Sequence, residues 1–141
     1  MSFKEIASGA ISAAEKGFIM HELMAQTIRD NETQYRKWSS NREIYLPNNR
    51  PPKVGDLFVQ ADLAKTLKYM ADQESASTGS RANKIDAARQ AFYRGDIAHA
   101  IAKFHKENGG WIPQTDLERF RVTIEPAIEV TRKGATLFTC G

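Results

Sequence analysis

The sequence predicts a mainly α-helical chain of five or six packed helices, followed by a small C-terminal antiparallel β element. Apolar residues recur at helical spacing through most of the chain before Val122. Two Ser/Thr-x-x-Glu capping boxes, beginning at Ser2 and Thr115, mark helix starts. After Val122 the residues are β-branched and alternate with polar ones, which is typical of strands. We therefore expect a helical layer over residues 1–121 and a β hairpin or ladder over residues 122–141.

The N-terminal third predicts three helices. The first begins at the N-cap Ser2 and ends at Gly17, with its apolar stripe facing inward. A second amphipathic helix is indicated by Met20, Leu23, Met24, Thr27 and Ile28. A short third helix is expected over residues 32–38, with Tyr35 and Trp38 on its inner side. Three prolines and several turn-forming residues then predict a loop over residues 46–56.

The middle of the chain predicts two more helices. Residues 57–59 should pack in an extended conformation before a helix over residues 61–73. The inward residues of that helix are expected to be Leu63, Leu67, Met70 and Ala71. Residues 75–80 are polar and are predicted to form a solvent loop. The next helix, over residues 83–93, should carry on its packed seam Ile85, Ala88, Arg89 and Phe92.

A rigid corner is predicted between residues 92 and 126. Gly95 should end one helix in the left-handed conformation, and Asp96 should cap the next. Residues 108–110 close that helix, and the capping box at Thr115 opens another. Three strands follow, over residues 122–124, 128–131 and 136–139, with turns at Pro126 and at residues 132–134.

Composition and charge limit the classes of function that the chain can have. The chain has 141 residues and a net charge of +3, with twenty basic and seventeen acidic residues interspersed. A nucleic-acid surface usually has clustered Lys and Arg, so nucleic-acid binding is not expected. Neither a membrane span nor a signal-peptide pattern is present in this sequence, which leaves a cytoplasmic or a periplasmic location open. Cys140 is the single cysteine and is interpreted as a bystander thiol.

Titratable residues suggest no catalytic, cofactor-binding or metal-binding position. His99 and His105 lie six residues apart, on different sides of one helix, and His21 is expected at the surface. The remaining carboxylates of interest are interpreted as caps (Asp96, Asp116 and Glu118) or as solvated side chains (Asp86 and Glu107). Ser2 would become an N-terminal nucleophile if Met1 were removed, but its predicted role as an N-cap weighs against this.

An ordered set of residues resembles the large-subunit interior of the γ-glutamyltranspeptidase family, whose members have an N-terminal-nucleophile hydrolase fold. The set in the corner consists of Phe92, Tyr93, Gly95, Ile97, Ala98, Ile101, Gly109, Gly110, Ile112, Asp116, Leu117, Phe120 and Pro126. Two earlier blocks add Ala10, Ile11, Ala14, Glu15, Gly17 and Phe18, then Gln60, Asp62, Leu63, Ala64, Thr66 and Leu67.

The resemblance implies a precursor that cuts itself and exposes a threonine, which attacks γ-glutamyl amides such as glutathione. The family's carboxylate-binding arginine precedes the matched part, and its threonine and glycine-rich oxyanion region follow it. No catalytic position therefore carries over to this chain, which is expected to be inactive alone. No cofactor is implied. The implied partners are the rest of the large subunit and the small catalytic subunit.

Departures from the family pattern leave the substrate open. Trp111 replaces a smaller apolar residue, Phe120 stands where tyrosine is commoner, and residues 131–135 lack a tyrosine-rich turn. A related amidohydrolase or acylase, acting on oxamate-like amides or acylated antibiotics, is therefore an alternative. A stand-alone helical interaction module is a second one. Self-association through an exposed apolar face and the edge at residues 136–139 would favour a family fragment over such a module.

Overall fold

A computed structural model describes residues 1–140, which contain eight α-helices, one 3₁₀ turn and two pairs of short strands. In chain order these are α1 (Phe3–Lys16), β1 (Phe18–Ile19), α2 (Glu22–Asp30), α3 (Glu32–Tyr35), α4 (Ser39–Tyr45), the 3₁₀ turn (Pro47–Asn49), β2 (Leu57–Phe58), α5 (Ala61–Ala76), α6 (Arg81–Tyr93), α7 (Asp96–Glu107), α8 (Gln114–Arg119), β3 (Ile128–Arg132) and β4 (Ala135–Thr139). The predicted mainly α fold with a C-terminal antiparallel β element is confirmed.

Helices α1, α5 and α6 form the helical body, in which α5 packs against both of the others. The buried positions along their contact surfaces are small: Ala7, Ala14, Ala64, Ala71, Ala88 and Ala91. Small side chains let helix axes approach closely, so that backbone and neighbouring side chains fill the space between them. None of the helices within residues 1–140 has the length and the apolar content needed to cross a membrane.

A buried carboxylate joins α5 to the start of α1. Glu74 is only 4% exposed, and its two oxygens accept hydrogen bonds from the backbone amides of Phe3 (2.7 Å) and Lys4 (3.1 Å). The first amides of a helix have no partner within the helix and favour negative charge nearby. Glu74 thus caps α1 from a distance of seventy residues, in addition to the local box formed by Ser2 and Glu5.

A second core lies under the loops of the N-terminal half. Met20, Ile28, Leu46 and Phe58 are its largest fully buried side chains. The two-residue strands β1 and β2 pair antiparallel, with Phe18 opposite Phe58, and the two rings meet edge-on at 5.7 Å. This pairing was missed, although the extended conformation of residues 57–58 was predicted, because two-residue strands have too few positions for an alternation to be visible.

Two N-terminal predictions were wrong, and one helix was not predicted. Helix α4 covers a segment for which the sequence had given no element, whereas the 3₁₀ turn lies within the predicted loop over residues 46–56. Leu23 is 71% exposed, because α2 buries Ala25 and Ile28, and Leu23 lies about 140° around the helix from Ile28. Trp38 is 41% exposed and is the residue preceding α4, where its ring lies 5.9 Å from that of Phe104.

The C-terminal hairpin is formed by β3 and β4, with Ile128 opposite Thr139 and Arg132 opposite Ala135. Lys133 and Gly134 both have positive φ (50° and 77°), as a two-residue hairpin turn with the strands' own twist requires. The predicted strand over residues 122–124 is absent from the described chain, since these residues find no pairing partner. The last residue of the predicted β segment, Gly141, lies outside the described residues.

Candidate functional site

The corner between α6 and α7 depends on a close backbone approach. Gly95 is the residue before α7, and its φ of −90° contradicts the predicted left-handed conformation. A Cβ at this position would lie 3.0 Å from the carbonyl oxygen of Ala91 and 3.2 Å from its Cα, which is tighter than most contacts of a Cβ with backbone. Glycine is therefore favoured here by the limited space and not by its range of φ.

Asp96 is the first residue of α7 and not its N-cap, which corrects the predicted role. Its carboxylate accepts a hydrogen bond from the hydroxyl of Tyr69 on α5, at 3.0 Å. This hydrogen bond, with partial burial and the nearby negative charge, raises the pKa of Tyr69. The side chain that local capping rules assign to the helix amides thus ties the corner to the helical body.

The C-terminal end of α7 is fixed by a Schellman turn. Gly109 has a φ of 69°, and the amide of Gly110 donates to the carbonyl of His105 at 2.7 Å. A Cβ on Gly110 would lie 2.1 Å from Nδ1 of His105, which is buried and has no hydrogen-bond partner among residues 1–140. The turn therefore covers Nδ1 of the partly exposed imidazole, and Trp111, the next residue along the chain, is 93% exposed.

A groove of about 910 Å³ lies between α7 and the segment from Trp111 to Pro113. One wall carries the exposed side chains of His99, Lys103 and Lys106, which share one face of α7 because they are spaced by four and three residues. The other wall is the apolar segment that begins at Trp111. Its volume is more than twice that of the groove beside Arg42 and Pro47, about 410 Å³, and we call it the Trp111 groove.

Helix α8 begins one residue before its predicted cap. Pro113 precedes the helix and Thr115 lies inside its first turn, where its side chain makes no cap hydrogen bond. Glu118 accepts from the side-chain amide of Gln114 at 2.7 Å and does not reach back to the N-cap. The predicted capping box at Thr115 was wrong, and Asp116 contributes only its charge near the helix N-terminus.

Two arginines of the α6 region hold the chain where it leaves α8. Arg89 donates to the carbonyl of Phe120 at 3.2 Å, and Arg94 donates to the carbonyl of Glu118 at 3.4 Å. The guanidinium of Arg89 also lies over the ring of Tyr93, 5.3 Å from its centroid, and that ring stacks on Phe120. The last carbonyls of a helix lack partners within the helix, so cationic donors suit this position.

The other candidate residues have structural partners. The hydroxyl of Ser2 accepts from the amide of Glu5, and the amide of Ser2 donates back to the Glu5 carboxylate at 2.6 Å, which lowers the pKa of Glu5. The capping box at Ser2 is thereby confirmed. His21 is the N-cap of α2, and its Nδ1 accepts from the amide of Met24 at 3.4 Å. This cap was missed because histidine is not among the preferred N-cap residues.

The carboxylates predicted to be solvated are paired on their own helices. Asp86 accepts from Gln90 and lies 3.6 Å from Arg89, and Glu107 lies 3.9 Å from Lys103. His99 and His105 share no ligand geometry, and within residues 1–140 no group of three candidate metal ligands comes together. Cys140 is exposed. Caps, pairs and turns therefore account for the candidate side chains without assigning any of them a chemical step.

The whole chain, residues 1–141, matches the family model described as Gamma-glutamyltranspeptidase. The glutathione hydrolase proenzyme of Bacillus subtilis (strain 168) is 32% identical over 127 residues, which cover 90% of this chain and 19% of the relative. The acylase ACY 1 proenzyme of Pseudomonas sp. (strain V22) is 26% identical over 130 residues, 92% of this chain and 21% of the relative. The chain therefore spans about a fifth of the length of these curated relatives, which are 19% and 21% covered.

The fold agrees with this similarity. The crystal structure of Helicobacter pylori gamma-glutamyltranspeptidase superposes with a TM-score of 0.82 and 26% sequence identity, and the match covers 100% of this chain and 37% of that one. The helical arrangement of the chain is thus one that recurs within a larger solved protein.

Proposed function

The chain belongs to the γ-glutamyltranspeptidase family, and we propose that it forms part of the large subunit of an enzyme that hydrolyses or transfers γ-glutamyl amides of the glutathione type. The observation that carries this proposal is the match of residues 1–141 to the family model, combined with coverage of only 19% of the Bacillus subtilis proenzyme. A chain that spans about a fifth of its relatives can take part in their activity only as one segment of a longer protein.

In this proposal the chain supplies packing and orientation. Residues 1–121 form a helical layer, and residues 122–141 join the sheet of the parent enzyme. The hairpin supports this division, since its side chains are exposed and one face carries Ile128, Val130 and Leu137. Apolar strands with unpaired edges gain stability when another strand or layer covers them. The partners are the rest of the large subunit and the small catalytic subunit, whose nucleophilic threonine would perform the attack.

An activity assay on two preparations tests the proposal. The purified 141-residue chain should release no chromophore from a γ-glutamyl anilide above background. The protein expressed from the complete coding region around this chain should mature by self-cleavage and turn the anilide over. Turnover by the 141-residue chain alone would overturn the assignment of a purely structural role. A complete protein that neither cleaves itself nor hydrolyses the anilide would remove the enzyme proposal.

A second candidate is an acylase of the same family. The similarity to the acylase ACY 1 proenzyme, 26% identity over 92% of this chain, favours keeping it. The departures at Trp111 and Phe120 also distinguish the chain from the glutathione-type pattern. Parallel assays of the complete protein with a γ-glutamyl anilide, an oxamate-like amide and an acylated antibiotic separate the candidates. The preferred substrate is the one with the highest kcat/KM, and a preference for either of the last two would replace the proposed γ-glutamyl specificity.

A stand-alone interaction module would behave differently in solution from a segment of a large subunit. Such a module would melt cooperatively as a monomer, whereas the proposed large-subunit segment has exposed apolar strands at residues 128–132 and 135–139 and should self-associate or bind an apolar dye. Sedimentation velocity and a thermal melt of the 141-residue chain distinguish these behaviours. A dye-silent monomer over a wide concentration range would favour the module.

A further inference from the structure

We infer that His105 and the turn at Gly109 and Gly110 form a pH-dependent latch at the end of α7, closed while the imidazole is neutral and opened when it takes up a proton. The inference starts from Nδ1 of His105, which is buried and has no hydrogen-bond partner among residues 1–140. A buried polar atom without a partner is uncommon in folded proteins and needs a physical explanation. Nδ1 is already covered by this chain itself, so no further segment of a longer protein reaches it while the turn is closed.

The backbone and the side chain of His105 both take part in the turn. The carbonyl of His105 accepts a hydrogen bond from the amide of Gly110 at 2.7 Å, and Gly109 supplies the positive φ of 69° that the turn requires. A Cβ on Gly110 would lie 2.1 Å from Nδ1 and 2.8 Å from Cγ of His105, so the backbone of Gly110 packs directly against the imidazole. The residue whose carbonyl closes the turn thus also lies with its side chain under the turn.

The two charge states of the imidazole place different demands on this contact. A neutral imidazole carries one N–H group, which leaves Nδ1 without a hydrogen when the proton is on Nε2, whereas an imidazolium carries N–H groups on both nitrogens. An N–H at Nδ1 would have no acceptor under the closed turn, and a buried charged donor without an acceptor costs more than a buried neutral atom does. Water reaches Nδ1 only when the turn moves away. Protonation therefore favours the open turn.

No neighbouring carboxylate compensates for the missing acceptor. The charged groups around His105 belong to α7, to α6 and α8, which pack against α7, and to the residue before Trp38, whose ring lies near that of Phe104. They are Lys103, Lys106 and Glu107 on α7, Asp86, Arg89 and Arg94 in the α6 region, Asp116, Glu118 and Arg119 on α8, and Lys37. Within residues 1–140 none of them forms a hydrogen bond or an ion pair with His105, and Glu107 pairs with Lys103 instead.

One effect acts in the opposite direction. His105 lies in the last turn of α7, where the helix dipole favours a positive charge. The dipole would hold a protonated imidazole at the helix end, whereas the missing acceptor at Nδ1 would drive the turn open. The turn also sets the direction in which the chain leaves α7 toward Trp111 and α8, so its opening would loosen the connection between these two helices. The two effects predict opposite responses of the turn to acid, which makes the inference testable.

Hydrogen exchange of the Gly110 amide, followed by NMR on the 141-residue chain, measures whether the turn is closed. The rate is expressed as a protection factor relative to an unstructured chain at the same pH, which removes the pH dependence of the exchange chemistry. Between pH 8 and pH 5, where histidine changes its charge, the factor should fall about fivefold or more. His105→Gln takes up no proton, so its factor should be the same at both pH values. His99→Gln is the matched control on an exposed face of the same helix and should keep the wild-type fall.

A second measurement needs no variant. The imidazole nitrogen chemical shifts of the wild-type chain at pH 8 report which nitrogen carries the proton, and for His105 this should be Nε2. A proton on Nδ1 at pH 8 would overturn the inference, as would equal protection of Gly110 at both pH values or a fall that persists in His105→Gln. A rise in protection at pH 5 would also overturn it, because the helix dipole would then outweigh the missing acceptor.

Discussion

The helical body and the C-terminal hairpin were predicted by the same kind of pattern, yet they end in opposite surroundings. In α1, α5 and α6 the alanines on the contact surfaces are covered, and even a carboxylate, Glu74, is only 4% exposed, although Leu63, predicted to face inward, is 45% exposed. In β3 and β4 every residue is exposed, including Leu137 and Phe138. Periodicity therefore reports which residues share a face, whereas burial depends on whether another element is present to cover that face.

The difference in burial should appear as a difference in the free energy of unfolding. Phe58 is 2% exposed in the second core, so Phe58→Ala should lower that free energy by about 3–5 kcal/mol. Phe138 in the hairpin is 67% exposed, and Phe138→Ala should change it by less than about 0.5 kcal/mol. Urea denaturation followed by far-UV circular dichroism measures both. Equal losses would mean that the hairpin is packed in solution and would break the comparison.

The next largest effect on the free energy of unfolding is expected from a substitution of Glu74 in the helical body. Glu74→Gln keeps the size of the side chain but leaves one partly buried backbone amide of α1 facing an NH₂ group. Loss of a buried, charge-assisted hydrogen bond should lower the free energy of unfolding by about 1–3 kcal/mol. Asp72→Asn on the same helix is the control, since Asp72 is exposed and should have little effect. If both substitutions have the same small effect, the distant cap contributes nothing to stability.

Sequence reasoning located most long helices because their determinants are local. The box at Ser2 and Glu5 formed as predicted, since both partners lie within one turn. The bond from Glu74 to Phe3 could not be predicted, because it joins residues 71 apart and its acceptor is an ordinary glutamate of an amphipathic helix. The pairing of β1 with β2 was missed for a similar reason, since two residues on each side carry no periodicity.

Local rules failed where tertiary contacts competed for the same side chain. Asp96 satisfies the N-cap preference, yet the hydroxyl of Tyr69 engages its carboxylate and Gly95 takes the cap position. Pro113 starts α8 early, which puts Thr115 inside the helix and removes its capping geometry. Of the features of the groove, only Trp111 had been noted, as a departure from the family pattern; its exposure depends on the fold of the turn before it.

Substitution of one glycine in each region extends the comparison to the turn between α6 and α7 and to the hairpin turn. A Cβ on Gly95 would approach the Ala91 backbone to 3.0 Å, so Gly95→Ala should lower the free energy of unfolding by about 1 kcal/mol and with it the melting temperature. Gly134 has a φ of 77° and open space around it, so Gly134→Ala strains only the hairpin turn. The melting temperature of Gly134→Ala, followed by the helical signal in far-UV circular dichroism, should equal that of the wild type. A lower value would show that the hairpin and the helices unfold together.

The smallest expected effect is a change in pH dependence within the helical body. Lys68 of α5 donates a hydrogen bond to Glu15 of α1, and this bond, with the lysine charge, lowers the pKa of Glu15. A carboxylate with a lowered folded-state pKa stabilises the fold above its unfolded pKa of about 4.3, and that contribution is lost as the pH falls through the folded value. Lys68→Met should therefore make the free energy of unfolding decline less steeply below about pH 4.3.

The matched control is Lys133→Met in the hairpin turn, which should leave the acid limb of the stability curve unchanged because Lys133 lies outside the helical body. Urea denaturation at a series of pH values measures both slopes. The Glu15 pair is exposed on both sides, so the change will be small and should shrink further at high salt. If Lys133→Met alters the acid limb as much as Lys68→Met does, the slope comes from general charge repulsion, and the ion pair between α1 and α5 does not distinguish the two regions.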